Sequence, residues 1–136
     1  MSNANDKPTP TPNPETQAFW DACNRGELTV QECTACNALQ HYPRVRCNTC
    51  GANTLSQVPV SGTGTVRSFT INRVPVSAAF AADIPYAVAL IELVEGPTMM
   101  ANVIDCDPEQ IHIGMAVSVT FEPRGELKLP QFSPST

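Results

Sequence analysis

Two pairs of cysteines at CxxC spacing are the residues in this sequence best suited to chemistry. Cys33 and Cys36 form the first pair, Cys47 and Cys50 form the second, and residues 37–46 separate them. A hairpin in that stretch would return the second pair beside the first, so four thiolates could converge as a tetrahedron. Soft sulfur ligands favour structural zinc, with rubredoxin-like iron as an alternative. Two disulfides or a redox CxxC are rival interpretations, but repeated pairs without a βαβ pattern favour a metal.

A shell of four cysteines leaves no open coordination position on the ion. Such an ion supplies folding energy and does not activate water. Arg44 and Arg46, just before the second pair, would partly offset the negative charge of this site, although ordinary surface positions explain them almost as well. His41 lies between the pairs, but a complete thiolate shell does not require it. The sequence therefore predicts Cys33, Cys36, Cys47 and Cys50 as the metal ligands.

The other reactive residue types do not form a recognisable catalytic set. Cys23 and Cys106 have no CxxC neighbour and are predicted to be small buried residues. His112 lies between two isoleucines, which favours a structural position at an edge or turn over acid–base chemistry. The sequence contains no nucleophile elbow, Walker A loop or HExxH motif, and residues 62–64 precede a strand, which favours a tight turn over a phosphate loop. We therefore expect that the chain is not an enzyme on its own.

Composition restricts the partners and the compartment. The chain has 136 residues, with 8 basic and 13 acidic side chains and a net charge of -5, so one or two small domains are expected. The acidic balance argues against nucleic acid, because phosphate contacts depend on clustered Lys and Arg. No apolar run is long enough to cross a membrane, and the N-terminus has no apolar signal core, so we expect a cytoplasmic protein.

The chain divides into a leader, a helix and two β-rich regions. Residues 1–14 are rich in Thr, Pro and Asn and predict a disordered or extended leader. Residues 15–27 form the second segment, with a helix over residues 15–25 that follows capping oxygens and ends before Gly26. Phe19 and Trp20 on this helix are costly to expose. We expect them to anchor the helix on the chain's own domains, with docking on a partner subunit as the alternative.

Residues 28–57 are short and polar and need the metal as a staple, which predicts a zinc ribbon. Residues 58–136 change to short β-type segments separated by Gly and Pro. The predicted strands cover residues 64–71, 86–94, 99–104, 115–121 and 127–132. The overall fold class is mainly β. Five short strands without a long helix favour an OB-fold barrel, with an SH3-like barrel as the alternative.

The connection between the first and second barrel strands, residues 72–85, is long and apolar. It carries Val74, Val76, Phe80 and Ile84, but only Arg73 and Asp83 as charges. Loops of this length are often functional. An apolar loop is unfavourable in water, so it either folds back on the barrel or is covered by another chain or an acyl group.

Several short motifs occur in the order and spacing of a known family. They are Phe19-Trp20, Gly26-Glu27-Leu28, the two CxxC pairs, Pro43-Arg44, Ser61-Gly62-Thr63-Gly64-Thr65-Val66, Ser68-Phe69-Thr70, Ile84-Pro85-Tyr86, Ile113-Gly114-Met115 and Leu129-Pro130. Together they resemble the acyl-CoA-associated family that joins a rubredoxin-like zinc ribbon to an OB-fold, over about residues 15–134. One departure is Asn37, where the family usually has glycine, but asparagine tolerates the left-handed conformation.

The resemblance implies a non-catalytic partner of thiolase-fold enzymes, such as thiolases, lipid-transfer-type aldolases and hydroxymethylglutaryl-CoA synthase assemblies. We therefore expect a hetero-oligomer that helps to bind and position acyl-CoA and stabilises its partner. Residues 61–136 hold four basic and eight acidic side chains, which suits a CoA site shared with the partner better than an independent one. Arg67, Arg73 and Phe80 are the candidate residues facing CoA or the partner.

Two other functions remain as hypotheses. OB-folds and zinc ribbons both occur in single-strand nucleic-acid binders, which need a basic groove with stacking aromatic residues. The acidic barrel half is poorly suited to that role. The chain could also act alone as an acyl-CoA binder or thioesterase, which an assay of the isolated protein would reveal.

Overall fold

The structure is mainly β, with one short helix, a zinc-ribbon region and a closed barrel, which confirms the predicted fold class. It is a computed structural model that describes residues 7–135, so the first part of the predicted leader, residues 1–6, lies outside the described residues. Helix α1 spans Gln17–Asn24. The strands are β1 (Thr29–Cys33), β2 (Leu39–Gln40), β3 (Leu55–Pro59), β4 (Thr63–Asn72), β5 (Tyr86–Leu93), β6 (Thr98–Val103), β7 (Ala116–Arg124) and β8 (Leu127–Pro134).

The ribbon is a three-stranded antiparallel sheet in the order β2-β1-β3. The long pairing joins β1 to β3, from Thr29 opposite Pro59 to Cys33 opposite Leu55. Strand β1 therefore delivers Cys33 at its end, where the chain turns towards the short strand β2. The sheet is too small to bury a core of its own, and it depends on the cysteine cluster at one end and on the helix at the other.

The barrel closes in the order β4-β5-β6-β8-β7, with β7 pairing back onto β4. Neighbours are antiparallel except β6 and β8, whose parallel contact joins Val103 to Phe132. This Greek-key closure is that of the OB-fold, and it decides against the SH3-like alternative. The β7–β8 hairpin is longer than predicted, because pairing continues through Pro123 and Lys128 to Arg124 and Leu127.

Strand β5 lies between β4 and β6, the central position that its apolar sequence predicts. Its odd-numbered residues point into the barrel, and Ile91 there is completely buried. The even-numbered apolar residues are less buried: Val88 is partly exposed, and Leu90 is exposed. Both side-chain parities are apolar because one fills the core and the other forms a surface.

Helix α1 joins the ribbon and the barrel into one continuous core. Phe19 and Trp20 are 2% and 9% exposed, and they belong to the same cluster as Val30 of the ribbon and Phe132 of the barrel. The expectation that these aromatic residues anchor the helix on the chain's own domains is therefore confirmed.

The helix is shorter than the predicted residues 15–25 because the preceding turn closes on itself. The Asn13 side-chain oxygen accepts from the Thr16 amide at 3.0 Å, and the Thr16 hydroxyl accepts from the Asn13 amide at 3.0 Å. Regular helix then begins at Gln17. At the other end, Gly26 adopts φ +78° and stops the helix, as predicted.

Gly64 occupies a position where the barrel leaves no room for a side chain. It pairs with Leu93 of β5 on one side and with Val117 of β7 on the other. A Cβ atom at Gly64 would lie 2.5 Å from the Glu92 carbonyl oxygen. The close approach of β4 to its neighbours therefore requires glycine.

We predict that Gly64→Ala lowers the free energy of unfolding by about 1–3 kcal/mol, because the backbone of β5 must shift to accept the methyl group. Thr65→Ala, an exposed substitution on the same strand, should cost less than about 1 kcal/mol. Urea titration of both variants measures the difference, and equal losses would contradict the steric argument.

Candidate functional site

The four predicted metal ligands meet at one end of the ribbon. The sulfur atoms of Cys33, Cys36, Cys47 and Cys50 all lie within 4.8 Å of one another. Cys33 and Cys47 are buried, while Cys36 and Cys50 lie on the outer side of the cluster. The structure therefore brings together the residues that the CxxC spacing predicts.

The separations between the sulfur atoms fit a metal rather than disulfides. Cys33 Sγ lies 3.6 Å from Cys50 Sγ, and Cys36 Sγ lies 3.6 Å from Cys47 Sγ. A disulfide requires about 2.05 Å. Four thiolates at the usual zinc–sulfur distance of about 2.3 Å stand about 3.8 Å apart in a tetrahedron. The donor set and its spacing thus suit structural zinc, which would leave no position for water.

The two CxxC pairs form matching turns. Asn37, after the first pair, has φ +65°, and Gly51, after the second, has φ +80°. The Asn37 amide donates to the Cys33 carbonyl at 2.7 Å, and the Gly51 amide donates to the Cys47 carbonyl at 3.0 Å. Asparagine therefore adopts the left-handed conformation that its short polar side chain tolerates, as predicted.

Backbone amides stabilise the thiolate form of the two buried cysteines. The Cys36 amide bonds to the sulfur of Cys33 and, as the largest cause, lowers the pKa of Cys33 to about 6. The Cys50 amide acts in the same way on Cys47 and lowers its pKa. Metal binding requires deprotonated thiols, so these amides prepare Cys33 and Cys47 for an ion. At Cys36, despite an amide hydrogen bond from Ala38, burial and the neighbouring thiols raise the pKa to about 12.

Two glutamines that sequence reasoning missed hold the second cysteine turn in place. Gln31 and Gln40 are buried, face each other across β1 and β2, and are joined by a 2.9 Å hydrogen bond. The Gln31 side chain bonds to both the amide and the carbonyl of Arg44. The Asn48 amide donates to Gln40 Oε1 at 2.8 Å. The sequence carries no clear signal for them, because β1 (TVQEC) mixes polar and apolar residues and β2 has only two residues.

The charged and imidazole groups near the cluster have different roles. Arg46 donates to the carbonyl of Gly51 at 3.0 Å, beside the second cysteine turn. Arg44 instead places its guanidinium 4.8 Å from the centre of the Tyr42 ring. His41 packs 5.3 Å from Phe19, ring centre to ring centre, and is not part of the sulfur cluster.

We predict that Cys47→Ser reduces bound zinc from about one ion per chain to nearly none, because one ligand of the closed shell is lost. The ribbon should then unfold, since the binding free energy of such an ion is folding free energy. Trp20, the single tryptophan, reports this as a red-shifted emission.

Metal analysis of the purified variant measures the zinc, and it also separates zinc from iron in the native protein. Cys106→Ser, outside the cluster, is the control and should retain full metal content. A native protein that is metal-free yet has unshifted Trp20 emission would contradict the structural role of the ion.

His41 provides a second, independent prediction. Burial, reinforced by the Arg44 charge, lowers its pKa from 6.5 to about 4. In the unfolded chain the His41 ring therefore binds a proton near pH 6.5, while in the folded protein the ring stays neutral down to about pH 4. The free energy of unfolding therefore falls as the pH falls from 6.5 towards 4. The loss should reach about 2 kcal/mol at pH 5.

Urea unfolding of the native protein and of His41→Gln between about pH 7.5 and pH 5 measures this effect. The variant keeps all four thiolates, so its remaining pH dependence reports the metal site, and the difference between the proteins reports His41. Identical pH dependence in the two proteins would contradict the prediction.

An open, mostly apolar groove of about 590 Å³ runs along the junction between the helix, the ribbon and the barrel. Trp20, Tyr42, Val88, Met100 and Pro130 are among the residues that line it. Met100 is 67% exposed and pairs with Leu90, which continues the apolar surface along the barrel. We call Val88, Leu90 and Met100 the apolar strip. Sequence reasoning did not single it out, although the second apolar parity of β5 was its signal.

The three candidate CoA or partner residues do not form one cluster. Arg67 and Arg73 are both exposed. Arg67 lies in the middle of β4 and Arg73 directly follows its last residue, so the two stand about 20 Å apart at the usual strand rise. Arg67 makes a 3.4 Å hydrogen bond to Thr98, and Arg73 forms an ion pair with Glu109. Phe80 is partly buried near Tyr86, with a ring separation of 6.3 Å.

The connecting loop, residues 73–85, folds back on the barrel over only part of its length. Phe80 and Ile84 fold back and are partly buried, whereas Val74 and Val76 are 77% and 70% exposed. The exposed valines are therefore better placed than Phe80 to contact another chain.

The remaining reactive side chains lie apart from the cysteine cluster. Cys23 is buried in the helix, as predicted, and its burial raises its pKa to about 12. Cys106, predicted to be a small buried residue, is only partly buried. It packs against the core from a turn after β6, between two exposed aspartates. His112 is exposed in the turn before β7.

Within residues 7–135, no helix has both the length and the apolar character that a membrane crossing requires.

Two family models together match most of the chain. Residues 20–56 match the rubredoxin-like zinc ribbon domain of ChsH2, and residues 57–122 match the C-terminal OB-fold domain of ChsH2. A DUF35 domain-containing scaffold protein of Methanothermobacter thermautotrophicus is 33% identical over 109 residues, which cover 79% of this chain and 81% of that protein. The chain belongs to the ChsH2 (DUF35) family. The family resemblance noted in the sequence is thus confirmed.

Two further relatives of this family member are a longer protein and a chain of known structure. A probable enoyl-CoA hydratase alpha subunit of Thermomonospora curvata is 36% identical over 95% of this chain, which spans only 40% of that protein's length. A solved chain described as Ltp2-ChsH2(DUF35) aldolase has a TM-score of 0.85 at 35% identity, and the match covers 94% of this chain and 100% of that one.

Proposed function

We propose that this ChsH2 (DUF35) family member is a non-catalytic accessory subunit of a thiolase-fold enzyme, with which it forms a hetero-oligomer. It would stabilise the partner and help to position an acyl-CoA substrate. The partner would supply the reacting groups, as in a thiolase or a lipid-transfer-type aldolase.

The likeness to the Ltp2-ChsH2(DUF35) aldolase chain is the observation that carries this proposal. That likeness extends over 100% of the solved chain, whose description places a DUF35 protein together with an aldolase. Other relatives are named scaffold proteins and hydratase alpha subunits, which are names of components of larger assemblies. A scaffold role agrees with a metal site whose ligand shell is closed.

The surface of the chain offers contacts suited to a protein partner. The apolar strip, with Tyr42 beside the groove, presents large exposed side chains next to the ribbon junction. Val74 and Val76 add a second exposed apolar element on the connecting loop. Side chains of this kind are costly in water, and burial against another chain removes that cost.

The distribution of charge favours a CoA site shared with the partner. Arg73 is already paired with Glu109, and Arg67 lies six residues earlier in the chain, in the middle of β4. Phosphate groups are held best by several convergent cationic or amide donors. This chain would therefore position the thioester arm and exclude water, while the partner binds most of the nucleotide.

The barrel surface argues against single-strand nucleic acid. The outward residues of β4, β5 and β6 are mostly uncharged, among them Thr70, Val88, Leu90, Met100 and Asn102, and Arg67 is the one cation on these three strands. A nucleic-acid-binding groove would require cations along this face.

The proposal is tested by expressing a candidate thiolase-fold enzyme with and without this chain. We expect the two chains to copurify, and the partner to gain thermal stability and acyl-CoA turnover, while this chain alone turns over no thioester. Equal stability and turnover in both preparations would refute the accessory role. Turnover by the isolated chain would instead support an independent acyl-CoA enzyme.

We predict that the double variant Val74→Asp/Val76→Asp weakens partner binding at least tenfold, because two buried charges would replace apolar contacts. Ile113→Asp is the matched control, since Ile113 is also 70% exposed but precedes β7 near the other end of β4. Metal content should be unchanged in both. Unaltered affinity of the loop variant would remove the loop from the interface.

We also propose a cytoplasmic location. All six cysteines are unpaired by disulfides, and thiols of this kind persist in a reducing compartment.

A further inference from the structure

The N-terminal segment lies against the connecting loop. Lys7 Nζ lies 2.5 Å from Asp83 Oδ2 and 5.5 Å from the centre of the Phe80 ring. The Lys7 side chain is only 17% exposed, although lysine usually extends into water. One residue of the predicted leader therefore makes two separate contacts with the loop.

Phe80 is held between two cations and an aromatic ring. Arg124 lies 5.7 Å from the ring centre, Lys7 is the other cation, and Tyr86 packs at a tilt. Attraction of a cation to the face of an aromatic ring strengthens as water is excluded. Arg124 is fixed by its own ion pair with Glu122, so Lys7 is the cation supplied by a segment outside the barrel.

The segment that carries Lys7 is itself restrained. Pro10 lines the groove at the junction together with Trp20 and Pro130. Thr9 lies beside Gly125 of the β7–β8 turn. Its methyl carbon is 3.3 Å from the position that a Cβ atom would take if Gly125 were replaced by a larger residue. Proline-rich chain is already extended before it packs, so little entropy is lost in holding it there.

The loop has few other restraints over its central part. Its regular hydrogen bonds are local, from Phe80 to Ser77, from Ala81 to Ala78, and from Asp83 to Phe80. Val74 and Val76 earlier in the loop are exposed, so they do not anchor it. The contacts of Phe80 and Asp83 are thus the main link between the central part of the loop, residues 77–83, and the rest of the molecule.

We propose that Lys7 is a latch that fixes the connecting loop, and that the latched loop presents Val74 and Val76 as a preformed docking element for the partner enzyme. The first half of the proposal, that Lys7 orders the loop, depends only on the observed contacts of Lys7. Its use in docking rests on the proposed function. A preformed element binds more tightly because less ordering remains to be done on association.

The latch is tested by hydrogen exchange of the Phe80 and Ala81 amides in the full-length protein. Lys7→Glu replaces attraction to Asp83 with repulsion and removes the cation from the Phe80 ring. Exchange of these amides should become about tenfold faster. Lys7→Arg keeps the charge and the ring contact and should remain close to the native rates.

Lys128→Glu is the matched control, because it makes the same charge change at the only other lysine. Amides of the β4–β5 ladder should be unaffected in every variant, which shows that the barrel is intact. Asp83→Lys approaches the same ion pair from the other side and should accelerate exchange at Phe80 and Ala81 as Lys7→Glu does. Native exchange rates in Lys7→Glu would overturn the latch.

Partner affinity tests the second half of the proposal. Lys7→Glu should weaken binding of the thiolase-fold partner about tenfold, and Lys7→Arg should retain it. Faster loop exchange with unchanged affinity would overturn the docking role of the latched loop. If the native protein binds no such partner, the proposed function fails, while the exchange measurement still decides whether Lys7 orders the loop.

Discussion

The convergence of four cysteine sulfur atoms is the constraint on which the rest of the structure depends. The ribbon sheet has three short strands and cannot bury enough apolar surface to fold alone. Amide hydrogen bonds to Cys33 and Cys47 favour their thiolate forms, so the turns are ready to bind an ion. The buried Gln31–Gln40 pair then transfers this order to the segment that carries Arg44 and Tyr42. The cysteine cluster thus helps to determine the shape of one wall of the apolar groove.

The molecule combines a rigid frame with exposed apolar side chains. Phe19 and Trp20 join the ribbon to the barrel in a single core, so the two regions present their surfaces in a fixed relation. The apolar strip and the exposed valines of the loop lie on that frame. Such an arrangement suits a subunit that acts through orientation and exclusion of water. The scattered arginines and the net acidic charge make independent capture of CoA phosphates or nucleic acid unfavourable.

Much of the fold could be predicted because the decisive signals are local. CxxC spacing identifies the ligands without knowledge of their distance, and alternation of apolar residues from Met115 to Phe121 identifies a strand with one buried face. Asn37 could be assigned a left-handed conformation from its chemistry. The predictions from sequence fail where contacts with distant parts of the chain decide the length of a strand or the burial of a side chain. The β7–β8 hairpin extends through Pro123 because β8 continues opposite it, and Cys106 stays partly exposed because its turn lies at the end of the barrel.

The amino-acid sequence by itself determined which four cysteines cluster, the mainly β class and the family, since all three depend on residue type and spacing along the chain. Only the tertiary structure decided that Phe80 turns inward while Val74 and Val76 face outward, and that Arg67 and Arg73 stand far apart. It also decided that Lys7 contacts Asp83, although the whole ribbon and the first barrel strand lie between them in the sequence. The physical reason is that side-chain orientation and long-range ion pairs depend on how the barrel closes, and strand closure is a property of the whole chain.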